Sequence, residues 1–377
     1  MMRFLILGAF AVLLSGCTST TGQPTEPRPS TAPPTVANGT IVFNRGTGTD
    51  LAVFAIGVDG GDEHQIRAVS DPAGISPDGS RFVFGALAPD GRVAAEAFDV
   101  DGSGDSLLPI ADPTLQVGDL RWSPDGTRVV AQGWDDTDPS RDGLYTFSST
   151  DGHGLVRLTA PGVASHDWPF AYSPDGSRVL FTRELKPYDH TGPMNLFVVK
   201  VDGSGLRRLN PPGTTTGLTS APVISSASWS PDGRQVAFVA SSGSFWEDQR
   251  AVFVVDTNGT NARRITPWDD TLNAVWSPDG AWIAFDTSNP IVSHDLFVVH
   301  PDGTELTPIA PTEDVLFSLG PVWSPDSRRL LFAQGPDELD NVDLWIVNVD
   351  GTGLAQVTRS PGGYGGYAWL PQDGTTS

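Results

Sequence analysis

The chain has 377 residues, with 45 Asp and Glu against 23 Lys and Arg, a formal charge of −22 and a pI near 4.4. So much negative charge excludes nucleic acid as a partner, because phosphate binding needs concentrated positive charge. With 42 Gly, 32 Pro and only 18% charged residues, the composition excludes a helical bundle in favour of an all-β chain with many turns; 38% apolar residues suffice for a core.

Residues 1–17, MMRFLILGAFAVLLSGC, place one Arg before an apolar run from Phe4 to Leu14, then small residues before Cys17, the sole cysteine. The run is too short to cross about 30 Å of hydrocarbon, and its order is that of an export signal. Leu14-Ser15-Gly16-Cys17 resembles the lipobox of bacterial lipoproteins, which implies lipidation at Cys17 and a mature N-terminus there. The alternative is an ordinary signal peptide with an incidental cysteine. Residues 18–37 are rich in Thr, Pro and Ser without apolar period, and predict a disordered tether of about 60 Å if extended at ~3.1 Å per residue. Folded structure is expected from Asn38.

Beyond the tether the chain repeats. SPDG occurs at Ser76, Ser123, Ser173, Ser230 and Ser277, then SPDS at Ser324 and a worn WLPQ at Trp369. A second motif alternates with it: VDGG at Val58, VDGSG at Val100 and Val201, TDGHG at Thr150, TNGT at Thr257, PDGT at Pro301 and VDGTG at Val349. In the unit around Trp276, a strand A ends at the Trp, SPDG turns into WIAFDTS as strand B, DLFVVHP is strand C, and PDGT turns into ELTPIA as strand D. Asp-Gly between two apolar, β-branched runs is a hairpin signal. Four short strands in each 46- to 57-residue repeat predict β-propeller blades. Residues 40–69 hold strands B, C and D without an A, and the C-terminal GGYAWLP is an A without a B. Joining them gives seven four-stranded antiparallel blades and closes the ring, which removes the exposed edges of a linear array.

The recurring W-S-P-D-G, followed by an apolar strand and a D-G hairpin, resembles the TolB-like, WD40-like repeats of bacterial envelope proteins over residues 38–371, leaving 372–377 as a tail. The resemblance implies an exported propeller. TolB itself is expected to be six-bladed behind an N-terminal α/β domain, to which nothing corresponds here.

In such a meander the A–B and C–D turns emerge at one end of the ring and the B–C and D–A loops at the other. The first set is short and repetitive, so its end is expected to be structural; the second varies, and variable loops on a rigid scaffold are where binding residues sit. Four clusters of Trp with acidic neighbours fall in the variable set: Trp134-Asp135-Asp136, His166-Asp167-Trp168, Trp246-Glu247-Asp248 and Trp268-Asp269-Asp270. Trp brings a large amphipathic surface to recognition sites, and acidic neighbours favour a cationic or hydroxyl-rich partner; the bland reading packs each Trp beneath its own loop. Trp122, Trp229, Trp276, Trp323 and Trp369, with Tyr172 as a variant, recur at one strand A position and read as core between blades.

Common chemistry is missing. There is no Gly-x-Ser-x-Gly, no phosphate loop and no His-Glu-x-x-His, and the hydrolase domain that follows the propeller of prolyl-oligopeptidase relatives is not expected. The run from Asp99 to Asp105 begins like a calcium loop, but its twelfth position is Ile110 rather than Glu. No cofactor is expected. The reading is a monomeric, lipid-anchored, non-enzymatic recognition or scaffold module of the cell envelope, touching the membrane through its anchor alone and binding a protein or glycan partner on the variable loops. Two alternatives stand beside it: a metal-dependent, carbohydrate-active enzyme with His166, His190 and His294 as ligands, as in polysaccharide lyases of related repeat type, and a purely structural propeller.

Overall fold

The computed structural model describes residues 39–46, 50–69, 74–162, 165–185, 194–210, 224–241, 249–287, 296–310, 317–335, 342–359 and 364–370. All belong to one compact unit, Thr35–Ser377. Its strands form seven four-stranded antiparallel sheets, the blades of a β-propeller. Blade I joins Tyr364–Trp369 as strand A to Thr40–Arg45, Ala52–Gly57 and His64–Ala68 as B, C and D. The closure pairs Ile41 with Trp369, Val42 with Ala368 and Phe43 with Tyr367. Blades II to VII follow in chain order, with strands A at Gly74–Ile75, Gln116–Trp122, Ser165–Tyr172, Ile224–Trp229, Thr271–Trp276 and Phe317–Trp323. Signal, lipobox and tether lie outside the described residues.

The SPDG turn has a physical reason for each residue. In blade V, Ser230 Oγ donates to Asp232 Oδ1 at 2.6 Å and accepts from Gln235 N at 2.9 Å, while Asp232 Oδ1 also accepts from Arg234 N at 3.0 Å. One hydroxyl and one carboxylate thus take up two backbone N–H groups of the turn, and Ser230 N and Gly233 N donate to the backbone oxygens of Gln235 and Ser230. The Ser-to-Asp bond recurs at Ser76, Ser123, Ser173, Ser277 and Ser324, at 2.5–2.6 Å. Gly233 follows at φ +65°, where a side chain is costly. Blade VII places Ser327 there at φ +60°, and its Oγ accepts from Asp279 N of blade VI at 3.0 Å, a bond between blades that offsets the backbone cost.

These donors hold the turn carboxylates in their charged form. Ser123 donating to Asp125 and Ser230 donating to Asp232 keep both below the usual carboxylate range, and Ser173 helps hold Asp175 at about 2. A depressed native pKa contributes stability that is present above about pH 4 and is lost as pH falls toward the native value. Acid unfolding followed by far-UV circular dichroism should therefore set in between about pH 4 and pH 2, with stability near pH 5 still undiminished by these turns; a loss already complete at pH 5 would contradict this.

The strand A aromatics lie between blades, as their recurrence implied. Trp229, Trp276, Trp323 and Trp369 are 6–8% exposed. Trp122, Trp229 and Trp323 donate Nε1 to the backbone of the preceding blade's strand A, at Gly74, Ala171 and Val275, over 3.0–3.4 Å. Tyr172 instead shares a 2.5 Å bond with Thr146 of blade III. Arginines of strand D tie blades together: Arg207 donates to Asn258 O and Arg263 to Pro301 O, each in the next C–D turn.

Candidate functional site

The loop end of blades III and IV is built from ion pairs. Trp134 closes strand B of blade III, Arg128–Trp134, half-buried on the strand face of Val130, which packs on blade IV. The chain then turns back through Asp135, whose carboxylate is 3% exposed and accepts from Thr137 Oγ1, Thr137 N and Thr114 Oγ1 at 2.7–2.9 Å. Thr137 in particular holds that carboxyl below the usual range. Arg141 reaches Asp135 at 2.8 Å and also pairs with Asp112, while Tyr145 OH donates to Arg141 O at 2.6 Å. Asp136 accepts from Gln116 Nε2 at 2.7 Å. The loop that follows Trp134 is thus a pinned ledge.

Strand A of blade IV, Ser165–Tyr172, carries the second cluster. Opposite registers in the A–B hairpin set Asp167 against Arg183, and the pair is bidentate at 2.7 and 2.8 Å with the Asp167 side chain fully buried. Arg183 lies over Phe197 at 5.2 Å. His166 and Trp168 stand on the opposite strand face, half-buried, with ring centroids 6.4 Å apart. Trp168 Nε1 donates to the buried Glu184 at 3.3 Å, which fixes the indole. Trp268 packs edge-on against Phe253 at 5.8 Å beneath the Arg264 guanidinium at 4.9 Å. Its neighbour Asp269 exchanges backbone bonds with Arg250 at 2.5 and 2.8 Å, and Asp270 bridges to Arg250.

The structure therefore places the acids of the Trp clusters unequally. Asp135 and Asp167 are committed to arginines, Asp270 is half-buried and Asp269 is exposed. His166 and Trp168 come together on the face of blade IV that packs toward blade V, in whose core cluster Trp268 also lies, whereas Trp134 faces the seam between blades III and IV. Cys17, Trp246, Glu247, Asp248, His190 and His294 lie outside the described residues. Arg141, Arg183 and Glu184 escaped sequence reasoning: counting outward from the Ser173 turn sets Asp167 opposite Glu184, and the bulge between Pro169 and Ala171 shifts it to Arg183. In the Asp99–Asp105 run, Asp101 caps Ser103 N at 2.9 Å and Asp105 pairs with Arg67. Among the described residues no three His, Cys, Asp or Glu side chains gather as metal ligands.

No protein-family profile matches the chain, and no curated protein matches it. Solved structures do. The chain is similar to an oligogalacturonate lyase in complex with manganese, at 16% identity over 82% of this chain and 86% of that one, with a TM-score of 0.60. It is similar to a puromycin-hydrolyzing peptidase of Mycobacterium tuberculosis, at 15% over 88% of this chain and 54% of that one, with a TM-score of 0.61. TolB from Acinetobacter baumannii is also among them, at 17% over 89% and 83%, with a TM-score of 0.49. What is shared is the propeller. Identities this low establish fold alone, and fold does not fix function.

Proposed function

We propose that the protein is an exported, TolB-like propeller, lipid-anchored through Cys17, that acts without catalysis as a recognition module of the cell envelope. Its partner, a protein or a glycan, docks on the loop end of blades III and IV. The observation that carries this reading is the contrast between the two ends. At the SPDG end the repeated polar side chains are spent on their own turns, as at Ser230 and Asp232. At the loop end, ion pairs hold a ledge across blades III and IV, and Trp134 on one side of blade IV and His166 and Trp168 on the other stand half-exposed beside it. Pre-organised aromatic side chains bind at low entropic cost, and their amphipathic rings suit both a protein surface and a sugar ring.

Photo-crosslinking capture from envelope extracts tests it. The wild-type chain and a Trp282→Ala variant, altered at the SPDG end where Trp282 stacks on His300 at 3.9 Å, should capture the same partner. The Trp134→Ala/Trp168→Ala variant should lose at least tenfold of that yield. Equal capture by all three would sink the assignment of this end.

A further inference from the structure

Blade VI buries polar groups without satisfying them. Asp286, in strand B of this blade (Ile283–Thr287), lies nine residues after the turn serine, where other blades have Gly85, Gln132, Thr182, Val239 and Ala333. Its side chain is 1% exposed. Oδ1 accepts from Asn273 N and Nδ2 at 3.1 and 2.9 Å, whereas Oδ2 is enclosed and has no hydrogen-bond partner. Ala284, on the same strand face, packs with Trp323, Leu330 and Phe332 of blade VII, so Asp286 looks into the seam between blades VI and VII.

The groups around it do not compensate its charge. Tyr367 is the titratable neighbour, but its OH donates to Gly320 O at 2.5 Å and accepts from Ala333 N at 3.2 Å. Gln334, on the blade VII strand face of Leu330 and Phe332, is neutral, and its buried Oε1 also lacks a partner. Among the described residues no cation pairs with Asp286. The same blade leaves Trp276 Nε1 unpaired, unlike Trp122, Trp229 and Trp323, and leaves Thr271 Oγ1 unpaired at 0% exposure. A buried polar group without a partner costs free energy that water entry relieves, so segments that hold several are where a fold opens locally.

We propose that Asp286 is a proton-operated lock on the seam between blades VI and VII: protonated, it lets the seam close dry; ionised, it draws water in and loosens strands A and B of blade VI. Burial pushes this carboxyl up to about 6. A native pKa above the unfolded value means the cost of ionisation is absent below about pH 4, grows through pH 6 and is complete above it. Strand A of blade VI continues directly from Trp268-Asp269-Asp270, so loosening it frees part of the loop end.

Hydrogen exchange of the full chain, corrected for intrinsic rates, tests the lock. Between pH 5.0 and pH 7.5, peptides covering Thr271–Trp276 and Ile283–Thr287 should lose about tenfold more protection than those covering Gln116–Trp122 and Arg128–Trp134, one pKa unit being tenfold. In Asp286→Asn that differential should vanish. Equal pH dependence in both blades of the wild-type chain overturns the proposal whether or not the variant folds, and so does a differential that survives in a folded Asp286→Asn.

Discussion

A chain ending at residue 363, without strand A of blade I, is expected to lose cooperative unfolding. The segment supplies the closing ladder from Ile41–Trp369 to Arg45–Tyr364. It also supplies Trp369, 8% exposed beneath the Arg329 guanidinium at 4.7 Å, and Leu370, 5% exposed with its N–H on Thr40 O at 3.0 Å. Replacing one buried Trp by Ala costs about 3–5 kcal/mol, and whole domains hold only about 5–15 kcal/mol. Removing the Trp, its ladder and the cover of an edge strand together therefore exceeds what a domain can lose. Circular dichroism during heating should show no sigmoidal transition for the truncated chain, whereas Trp369→Ala alone should retain one at lower temperature. A truncated chain melting within a few degrees of wild type would show that the ring does not depend on this closure.

The second large effect is expected at Asp167. Asp167→Ala removes the carboxylate and strands the Arg183 guanidinium, whose side chain is 17% exposed between Asp167 and the Phe197 ring. Breaking a buried pair on one side costs about 3–5 kcal/mol, because the remaining charge is left uncompensated. Denaturant unfolding should place Asp167→Ala about 3 kcal/mol below wild type. The double variant Asp167→Ala/Arg183→Met should recover most of that loss, since an apolar replacement of both partners carries no stranded charge. A single variant as stable as wild type would mean that Asp167 is available to a ligand rather than engaged in holding the ledge.

Blade number and closure were readable because the SPDG turn is a local solution. Ser, Asp and Gly within five residues satisfy one turn, so the same letters recur wherever that turn recurs. Closure followed from a missing strand at one terminus and a spare one at the other. The Trp–acid clusters were legible only as composition. Asp135 reads as a free acid beside Trp134, yet its partners Thr114 and Arg141 arrive from a preceding loop and a later turn. Asp167 finds Arg183 through hairpin register, which is itself shifted by a bulge between Pro169 and Ala171. Asp286 carried no motif, because a lone acid in an apolar strand looks the same whether it is solvated or enclosed. Local chemistry repeats and can be counted; long-range pairing is written once.

Under the proposed function, the SPDG end holds the fold and the loop end at blades III and IV recognises a partner. The most direct measurement is binding of the captured partner to immobilised wild-type and Trp134→Ala/Trp168→Ala chains, with the melting temperature of each recorded in the same buffer. The predicted result is a dissociation constant raised at least tenfold with the melting temperature within about 3 °C of wild type. A variant that binds as tightly as wild type, or whose melting temperature falls in step with its binding, would contradict that division and make the two Trp side chains part of the core.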